Sequence, residues 1–246
     1  MKIIAHRGAS GHAPENTLAA FLLAWEEGAD GIEMDVHLSL DGRIMVHHDA
    51  TTSRTGHADL VIADTTSARL RELDVGSWYA PRFNSERIPF LEDVLATVPA
   101  HGQVLIEIKS KPDIVPALHT VISGFVALQP RIALISFELT TLLACQSALP
   151  SIACYWVTAC QQPDEYNHYP AHYSNLITLA RQHKLTGLDP DYRSITAEFA
   201  ASVHKAGLQL MAWTVNDPAA AKQMQALGLA AITTDYPLEI RHALAS

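Results

Sequence analysis

The sequence predicts an α/β fold, a single (β/α)₈ TIM barrel that spans residues 1–246. The chain of 246 residues has the length typical of such a barrel, which needs about 250 residues. Its hydrophobic content of 48% is ample for one large core. Short apolar strands alternate with helical segments along most of the chain. This alternation is the pattern of a closed parallel barrel.

The first predicted strand is 2–6, and it ends in His6 and Arg7. A helix follows it, because an Ala- and Leu-rich run begins soon afterwards. Asn16 or Thr17 can accept hydrogen bonds from the free N–H groups at the start of that run, as helix caps do. We favour a capping role for Asn16 over a role in a site.

The second predicted strand, 31–37, alternates strictly between apolar and acidic residues. Glu33 and Asp35 are two positions apart, so in a strand their side chains lie on the same face. Two adjacent carboxylates repel each other unless a cation lies between them. Oxygen ligands at this spacing suit Mg²⁺ or Ca²⁺. For this pair alone, a solvated strand edge explains the pattern equally well.

The third strand of the barrel, 103–109, repeats the pattern. Glu107 and Lys109 share one face, while Ile106 and Ile108 share the other. If both strands belong to one barrel, helices cover the apolar outer faces. Three carboxylates and a lysine then converge near the open end of the barrel, which is where barrel active sites lie.

Between these two strands the rhythm breaks. Asp41-Gly42 indicates a hairpin turn, so 43–48 is expected to return as an extended strand that ends in two histidines. Residues 50–90 show little periodicity, and an unpatterned connection this long is usually functional. We therefore predict a small insertion between strand 2 and the following helix, folded as a cap over the barrel mouth.

The rest of the chain alternates regularly. The remaining strands are predicted at 132–137, 153–157, 187–189, 208–213 and 231–234. Helices are predicted at 138–149, 176–183 and 196–205, with two more that open at Pro218 and Pro237.

Composition limits the function classes. The net charge of −9, from 17 basic and 26 acidic residues, disfavours nucleic acid and anionic membranes as partners. The three cysteines, Cys145, Cys154 and Cys160, have no metal-like spacing and are expected to be buried and reduced. The N-terminal apolar run is too short for a signal peptide, and no segment would span a bilayer. We expect a cytoplasmic protein without stable membrane association; its oligomeric state is open, a homodimer included.

An ordered set of motifs resembles the glycerophosphodiester phosphodiesterase family, in its short cytosolic bacterial type. The resemblance covers Met1 to about Pro237. Its motifs are His6-Arg7-Gly8, Pro14-Glu15-Asn16-Thr17, Glu33-x-Asp35, Asp41-Gly42, His48-Asp49 with Arg54-Thr55, Gly76-Ser77-Trp78, Glu107-Ile108-Lys109 and Trp213-Thr214-Val215-Asn216. It implies a TIM barrel that binds one divalent cation, Mg²⁺ or Ca²⁺. It also implies cleavage of small glycerophosphodiesters, such as glycerophosphocholine or glycerophosphoethanolamine, to sn-glycerol 3-phosphate and an alcohol.

With the resemblance, Glu33, Asp35 and Glu107 are the predicted metal ligands. His6 and His48 are the predicted acid and base, because histidine exchanges protons near neutral pH and diester cleavage needs both acts. His47 competes with His48, but adjacent strand residues face opposite ways and only one should reach the site. We choose His48, which belongs to the His-Asp motif.

Four side chains complete the predicted site. Arg7 can grip phosphate oxygens through two N–H groups, or it can pair with a nearby acid. Lys109 can neutralise charge that grows in the transition state, and it can also hold Glu107. Trp213 is predicted to contact the glycerol, with core packing almost as good an explanation. Trp78 is predicted to border the leaving alcohol, whereas Asp235 is expected to cap the last helix.

Two other functions compete with a small-molecule diesterase. A lysophospholipase D-type enzyme would call for exposed apolar surface or a membrane anchor, and the sequence shows neither. A barrel that binds glycerophosphate without catalysis predicts loss of a histidine or a carboxylate, and all of them are present. Attack by a glycerol hydroxyl, which gives a cyclic phosphate, and direct attack by water both fit the sequence.

Overall fold

A computed structural model of the chain describes residues 1–159 and 169–245. The strands in this part of the chain are β1 Lys2–Ala5, β2 Gly31–Leu38, β3 Ile44–Val46, β4 Gln103–Ile108, β5 Ile132–Ser136, β6 Ala153–Thr158, β7 Gly187–Pro190, β8 Gln209–Ala212 and β9 Ala231–Thr234. The helices are α1 Leu18–Glu26, α2 Ser67–Leu70, α3 Leu91–Leu95, α4 Val115–Ser123, α5 Leu139–Ala148, α6 Tyr169–Gln182, α7 Ala197–Lys205, α8 Pro218–Ala226 and α9 Pro237–Ala245.

The strands close into a parallel barrel. Their order is β1-β9-β8-β7-β6-β5-β4-β2, and pairing of β1 with β2 completes the ring. β3 pairs antiparallel with β2 alone and therefore lies outside the ring. The predicted (β/α)₈ barrel is confirmed. In this ring β7 lies opposite β2, with three strands between them on either side.

Alternation along the strands separates two layers of core. Outward-facing residues such as Met34 and Ile106 join the large apolar cluster that also contains Phe21 of α1. Inward-facing residues such as Leu105 and Tyr155 form a smaller apolar cluster inside the barrel. Leu105 lies two positions before Glu107 on the same face of β4. The apolar interior therefore forms the floor beneath the inward-facing acids, as in other filled barrels.

The insertion at 50–90 contains α2 and two short 3₁₀ turns, at Ile62–Asp64 and Pro81–Phe83. It has its own small apolar cluster, formed by Met45, Ile62, Leu70, Leu73, Val75 and Ile88. One β-bridge, between Thr51 and Val61, joins two residues of the insertion, and another joins Phe90 to Met45 on β3, outside the ring. The segment supplies no strand to the barrel wall, as its lost periodicity predicts.

Two contacts fix this insertion to the start of the barrel. The hydroxyl of Tyr79 donates to the carbonyl oxygen of Gly11 at 2.6 Å. The carboxylate of Glu86 accepts from the N–H of Ala19 at the start of α1, at 3.3 Å. Both contacts reach the region that follows β1, so the insertion is attached beside the strand end that carries His6 and Arg7.

The start of α1 corrects one prediction. Thr17 is the cap, since its hydroxyl accepts from the N–H of Ala20 at 3.3 Å. Asn16, which we favoured as a cap, has a positive φ of 56° and turns its side chain towards Asp35 instead. Asn tolerates this left-handed conformation better than most residues do. Thr17 therefore caps α1, while Asn16 contacts Asp35.

Cys145 and Cys154 are free and buried, as predicted. Burial raises the pKa of the Cys145 thiol to about 11 and that of Cys154 to about 12, so both stay protonated. Cys160 lies outside the described residues. Among the helices of the described chain, none has the length and apolar character needed to cross a bilayer.

Candidate active site

A cavity of about 170 Å³ opens at the carboxyl ends of the barrel strands. It is lined by His6, Arg7, Glu33, His48, Glu107, Lys109, Ile135, Phe137, Val157, Asp189, Trp213, Thr214 and Thr233. The barrel thus brings together nearly all of the predicted site residues. Asp35 lies directly behind this lining and is fully buried, while Trp78 is not part of the lining.

The three predicted metal ligands form one cluster. Glu33, Asp35 and Glu107 each offer a carboxylate oxygen, and these oxygens lie within 4.8 Å of one another. The barrel register explains the meeting, since Asp35 on β2 is the direct partner of Glu107 on the adjacent strand β4. All three side chains are buried.

Such a cluster is electrostatically incomplete without a cation. Burial and the neighbouring carboxylates raise the pKa of Glu33 well above its usual range, and they also raise the pKa of Glu107. Burial alone would raise the pKa of Asp35, but the charges of Lys109 and Arg7 outweigh burial and lower the pKa. In the described part of the chain, Oε1 of Glu33 is buried without a hydrogen-bond partner, and Oδ1 of Asp35 has the ammonium of Lys109 at 3.1 Å. Buried carboxylate oxygens at this spacing fit a hard divalent cation.

Neighbouring groups orient the carboxylates. The backbone N–H of Arg7 donates to Glu33 at 2.9 Å, and the side-chain amide of Asn16 donates to Asp35 at 2.8 Å. Ligand carboxylates are usually held in this way by a second ring of hydrogen bonds. In the sequence, these donors belong to the two motifs that follow β1.

The turn after β1 has an uncommon backbone. Arg7 has a φ of 56° and Gly8 a φ of 81°, and both lie in the left-handed region that side chains other than glycine rarely adopt. A Cβ at Gly8 would also lie 2.6 Å from the backbone of Ala20. The turn directs the N–H of Arg7 at Glu33, and such backbone strain typically occurs at functional sites.

The guanidinium of Arg7 contacts two acids. Its Nη1 lies 3.0 Å from Glu15 and its Nε lies 3.2 Å from Asp35. The sequence left phosphate binding and ion pairing open for this residue, and the ion pairs are present. Both ion pairs hold the Arg7 guanidinium at the edge of the cavity, where an anionic ligand can also reach it.

His6 is held by an aspartate from the other end of the chain. Its Nδ1 lies 2.7 Å from Asp235, which also accepts from the Ser10 hydroxyl at 2.9 Å and from the Asn216 amide at 2.6 Å. Burial alone would raise the pKa of Asp235. These contacts, of which the one with His6 contributes most, outweigh burial and lower the pKa to about 2. The expectation that Asp235 serves mainly as a helix cap missed this role.

His48 has an equivalent partner next to it in sequence. Its Nδ1 lies 2.7 Å from Asp49, and Arg54 donates to the other oxygen of Asp49 at 2.6 Å. Burial alone would raise the pKa of Asp49, but the hydrogen bonds from Arg54 and His48 outweigh burial and lower the pKa to about 2. Arg54 also donates twice to Glu15, at 2.7 and 2.8 Å. A continuous chain of ion pairs therefore connects His48 with Arg7.

The two aspartates determine which ring nitrogen is free. An ionised carboxylate accepts a hydrogen bond, so Nδ1 of His6 and of His48 carries the proton and Nε2 is left for chemistry. Burial lowers the pKa of His48, which favours the neutral ring. His47 is outside the cavity lining; its Nε2 lies 3.2 Å from the carbonyl oxygen of Thr51, which accepts a hydrogen bond from the ring.

Lys109 lies beside the carboxylate cluster. Its Nζ is 2.5 Å from Glu107 and 3.1 Å from Asp35. Although burial opposes it, these two acids raise the pKa of Lys109, so the ammonium stays charged. Both predicted roles remain compatible with this position, because the amine holds Glu107 and lines the cavity.

The opposite wall is mainly apolar. Phe137 and Trp213 pack edge to face with 5.6 Å between their ring centres, and Ile135 and Val157 line the wall near them. Asp189 interrupts this surface, and sequence reasoning assigned it no role. A usable signal existed, because Asp189 lies two positions after Gly187, on the same face of a short strand, and directly before its last residue, Pro190.

Trp78 points to a different neighbourhood. Its indole N–H donates to the carbonyl oxygen of Val75 at 2.8 Å, and its ring packs edge to face against Tyr79. Contact of Trp78 with the leaving alcohol stays a prediction.

Known proteins are similar to this chain in sequence and in fold. Residues 6–239 match the model of the glycerophosphoryl diester phosphodiesterase family. The YhdW protein of Bacillus subtilis (strain 168) is 37% identical, over 96% of this chain and 95% of its own. A glycerophosphodiester phosphodiesterase of Bacillus altitudinis is 32% identical, over 96% of this chain and 95% of its own.

A solved structure gives the same result. A phosphodiesterase of Oleispira antarctica, in complex with the product sn-glycerol 3-phosphate, superposes with a TM-score of 0.89 and 29% identity, over 100% of this chain and 97% of its own. The sequence match and the shared barrel are independent of the cavity geometry described above. The chain therefore belongs to the glycerophosphoryl diester phosphodiesterase family.

Proposed function

We propose that this chain hydrolyses small glycerophosphodiesters, such as glycerophosphocholine or glycerophosphoethanolamine, to sn-glycerol 3-phosphate and an alcohol. The observation that carries the proposal is one cavity that is lined by two aspartate-paired histidines and by Glu33 and Glu107 of the buried carboxylate cluster. Family membership supports the same reaction class. A cytoplasmic location is part of the proposal.

Charge favours a phosphodiester as the ligand. Glu33, Asp35 and Glu107 would hold one divalent cation, Mg²⁺ or Ca²⁺, and Arg7 and Lys109 add two positive charges. With ionised carboxylates, this set carries one net positive charge, which a phosphodiester monoanion neutralises. The chain as a whole carries −9, so attraction acts at short range and not through a basic surface.

The histidines supply proton transfer. In this proposal one of them takes a proton from the nucleophile through Nε2, and the other gives a proton to the departing alkoxide. The bound cation supplies charge stabilisation at the phosphoryl oxygens. Arg7 and Lys109 contact those oxygens as negative charge grows on them.

The nucleophile can be a glycerol hydroxyl next to the ester or a water molecule. The first route forms a cyclic phosphate that water then opens, and the second forms none. Phosphorus NMR during turnover distinguishes the two routes. A five-membered cyclic phosphodiester accumulates if the glycerol hydroxyl attacks, and it is absent if water attacks.

Release of sn-glycerol 3-phosphate from glycerophosphocholine and glycerophosphoethanolamine tests the proposal. Metal-loaded protein should release it from both, and His6→Asn and His48→Asn should each lose about 10²–10⁴-fold in kcat. Lysophosphatidylcholine serves as the comparison substrate. Faster cleavage of the lysophospholipid would favour a lysophospholipase D-type enzyme. Tight binding of sn-glycerol 3-phosphate without any turnover would favour a binding barrel.

A further inference from the structure

Asp189 is a buried acid with no assigned partner. Its side chain is 1% exposed, and neither carboxyl oxygen has a hydrogen-bond partner. It nevertheless lines the cavity that holds the predicted catalytic groups. A buried polar group without a partner is destabilising, so a site that keeps one is expected to satisfy it with a ligand.

Its position in the barrel is fixed from two sides. Asp189 is the register partner of Val157, and both line the cavity. The indole N–H of Trp213 donates to the backbone oxygen of Asp189 at 3.0 Å, which anchors the strand end. β7 lies opposite β2, so Asp189 stands across the barrel from Glu33 and Asp35.

Thr233 on β9 provides a second unpaired polar group. It is 2% exposed, its hydroxyl has no hydrogen-bond partner, and it lines the same cavity. Among the described residues, the rest of the lining that comes from β5 to β9 and the positions directly after them consists of Ile135, Phe137, Val157, Trp213 and Thr214. Asp189 and Thr233 are therefore two buried hydrogen-bonding side chains without partners on a mainly apolar wall.

The chemistry of this wall suits neutral hydroxyl groups. Burial and the charge of Glu107 raise the pKa of Asp189 to about 8, so near neutral pH it is mainly a carboxylic acid that can both donate and accept. No residue that lines this wall in the described part of the chain carries a positive charge that would hold an anion. Among the described residues, the acidic cluster suited to a metal consists of Glu33, Asp35 and Glu107 and does not include Asp189.

We propose that Asp189 and Thr233 form the site that recognises the glycerol hydroxyls of the substrate. The inference rests on the proposed function, in which the phosphate is held on the side of the carboxylate cluster. A phosphate there leaves its glycerol group to reach across to β7 and β9. Asp189 would then be a specificity-determining residue that selects a polyol ester over an apolar one.

Binding calorimetry on the metal-loaded protein tests this inference without turnover. The ligands are sn-glycerol 3-phosphate and n-propyl phosphate, which has the same carbon chain and no hydroxyl groups. The wild type should prefer the glycerol ester by about 10- to 100-fold, the usual range for leaving buried polar groups unpaired. Asp189→Leu should weaken binding of the glycerol ester and leave that of propyl phosphate nearly unchanged.

Three further variants sharpen the result. Asp189→Asn keeps the shape and the hydrogen bonding and should retain most of the preference, which keeps the test valid if the leucine variant fails to fold. Thr233→Val should lose part of it. Thr141→Val is the matched control, because Thr141 on α5 is equally buried with an unpaired hydroxyl but lies outside the cavity lining.

Equal binding of the two esters by the wild type, or an unchanged preference in both Asp189→Leu and Thr233→Val, would overturn the inference. Weaker binding of phosphocholine but not of sn-glycerol 3-phosphate in Asp189→Leu would also overturn it, since Asp189 would then face the headgroup. Failure of the proposed function has a separate signature. In that case, the wild type would release no sn-glycerol 3-phosphate from glycerophosphodiesters, whatever its preference between the two monoesters.

Discussion

At the scale of single residues, His47 and His48 are chemically identical neighbours in different surroundings. His48 lines the cavity and pairs with Asp49, whereas His47 is 5% exposed and bonds to the Thr51 backbone. We expect His48→Ala to lower kcat by about 10²–10⁴-fold, the usual loss for a general acid or base. His47→Ala should lower the melting temperature and leave kcat within a few-fold. Steady-state kinetics and thermal unfolding of both variants measure this, and equal large losses of kcat would contradict it.

Asp189 gives a stability prediction whose sign follows from its raised pKa. The folded protein keeps this proton up to a pKa of about 8, whereas the unfolded chain loses it near the usual value of 3.8. The contribution of Asp189 to the unfolding free energy therefore falls as pH rises from about 4 to about 8. Asp189→Asn removes this fall. The excess of the variant's unfolding free energy over that of the wild type should therefore be absent below pH 4 and largest above pH 8.

Urea unfolding across this pH range, with chelator present in both samples, measures the difference between the two proteins. About 1.4 kcal/mol per pKa unit over the shift from 3.8 to about 8 sets an upper bound of roughly 6 kcal/mol on the gain. A constant difference between the variant and the wild type at all pH values would show that Asp189 is ionised in the folded protein.

At the scale of elements, the segment after β3 connects the two halves of the site. Arg54 donates to Asp49, which holds His48, and to Glu15, which holds Arg7. Arg54→Met should lower kcat by about 10-fold or more, because groups that orient reacting residues typically contribute this much. Arg69→Met is the matched control, since Arg69 forms an exposed ion pair with Glu72 away from the cavity.

Kinetics and melting temperatures of the two arginine variants should separate positioning from stability. Arg69→Met loses one exposed ion pair and should change the melting temperature little. Arg54→Met loses its pairs with both Asp49 and Glu15, so its melting temperature should fall more, and a loss of kcat at temperatures well below both melting points then reports positioning. Wild-type kcat in Arg54→Met would mean that His48 and Arg7 keep their orientation without the connecting chain of ion pairs.

The insertion at 50–90 is expected to act on substrate access. Tyr79 fixes it to Gly11 near the strand end that carries His6, and Trp78 packs beside Tyr79. Trp78→Ala should raise KM or change the ratio of kcat/KM between glycerophosphocholine and glycerophosphoethanolamine, with little loss of melting temperature. If KM and this ratio both match the wild type, the insertion does not border the leaving alcohol.

At the scale of the whole molecule, sequence periodicity was enough to predict the barrel. Alternation placed Glu33 and Asp35 on the inner face of β2, and the barrel register then brought Asp35 beside Glu107. This prediction succeeded because side-chain direction in a strand is a local property with a period of two. The break in this pattern likewise predicted the insertion.

The parts that were missed depend on contacts between distant segments. His6 and Asp235 are 229 positions apart, and no local pattern joins them. The link from Arg54 to Glu15 spans 39 positions and depends on how the insertion folds back. Asp189 was visible as an inward-facing strand end, but only the closed barrel shows that both of its oxygens lack partners.

The central claim is that a divalent cation held by Glu33, Asp35 and Glu107 is needed for phosphodiester cleavage. Their clustering and the unpaired Oε1 of Glu33 motivate it. The most direct measurement is release of sn-glycerol 3-phosphate from glycerophosphocholine by metal-stripped protein, before and after addition of Mg²⁺ or Ca²⁺. We expect background activity without metal and recovery with at least one of the two ions. Full activity of the stripped protein in excess chelator would contradict the claim.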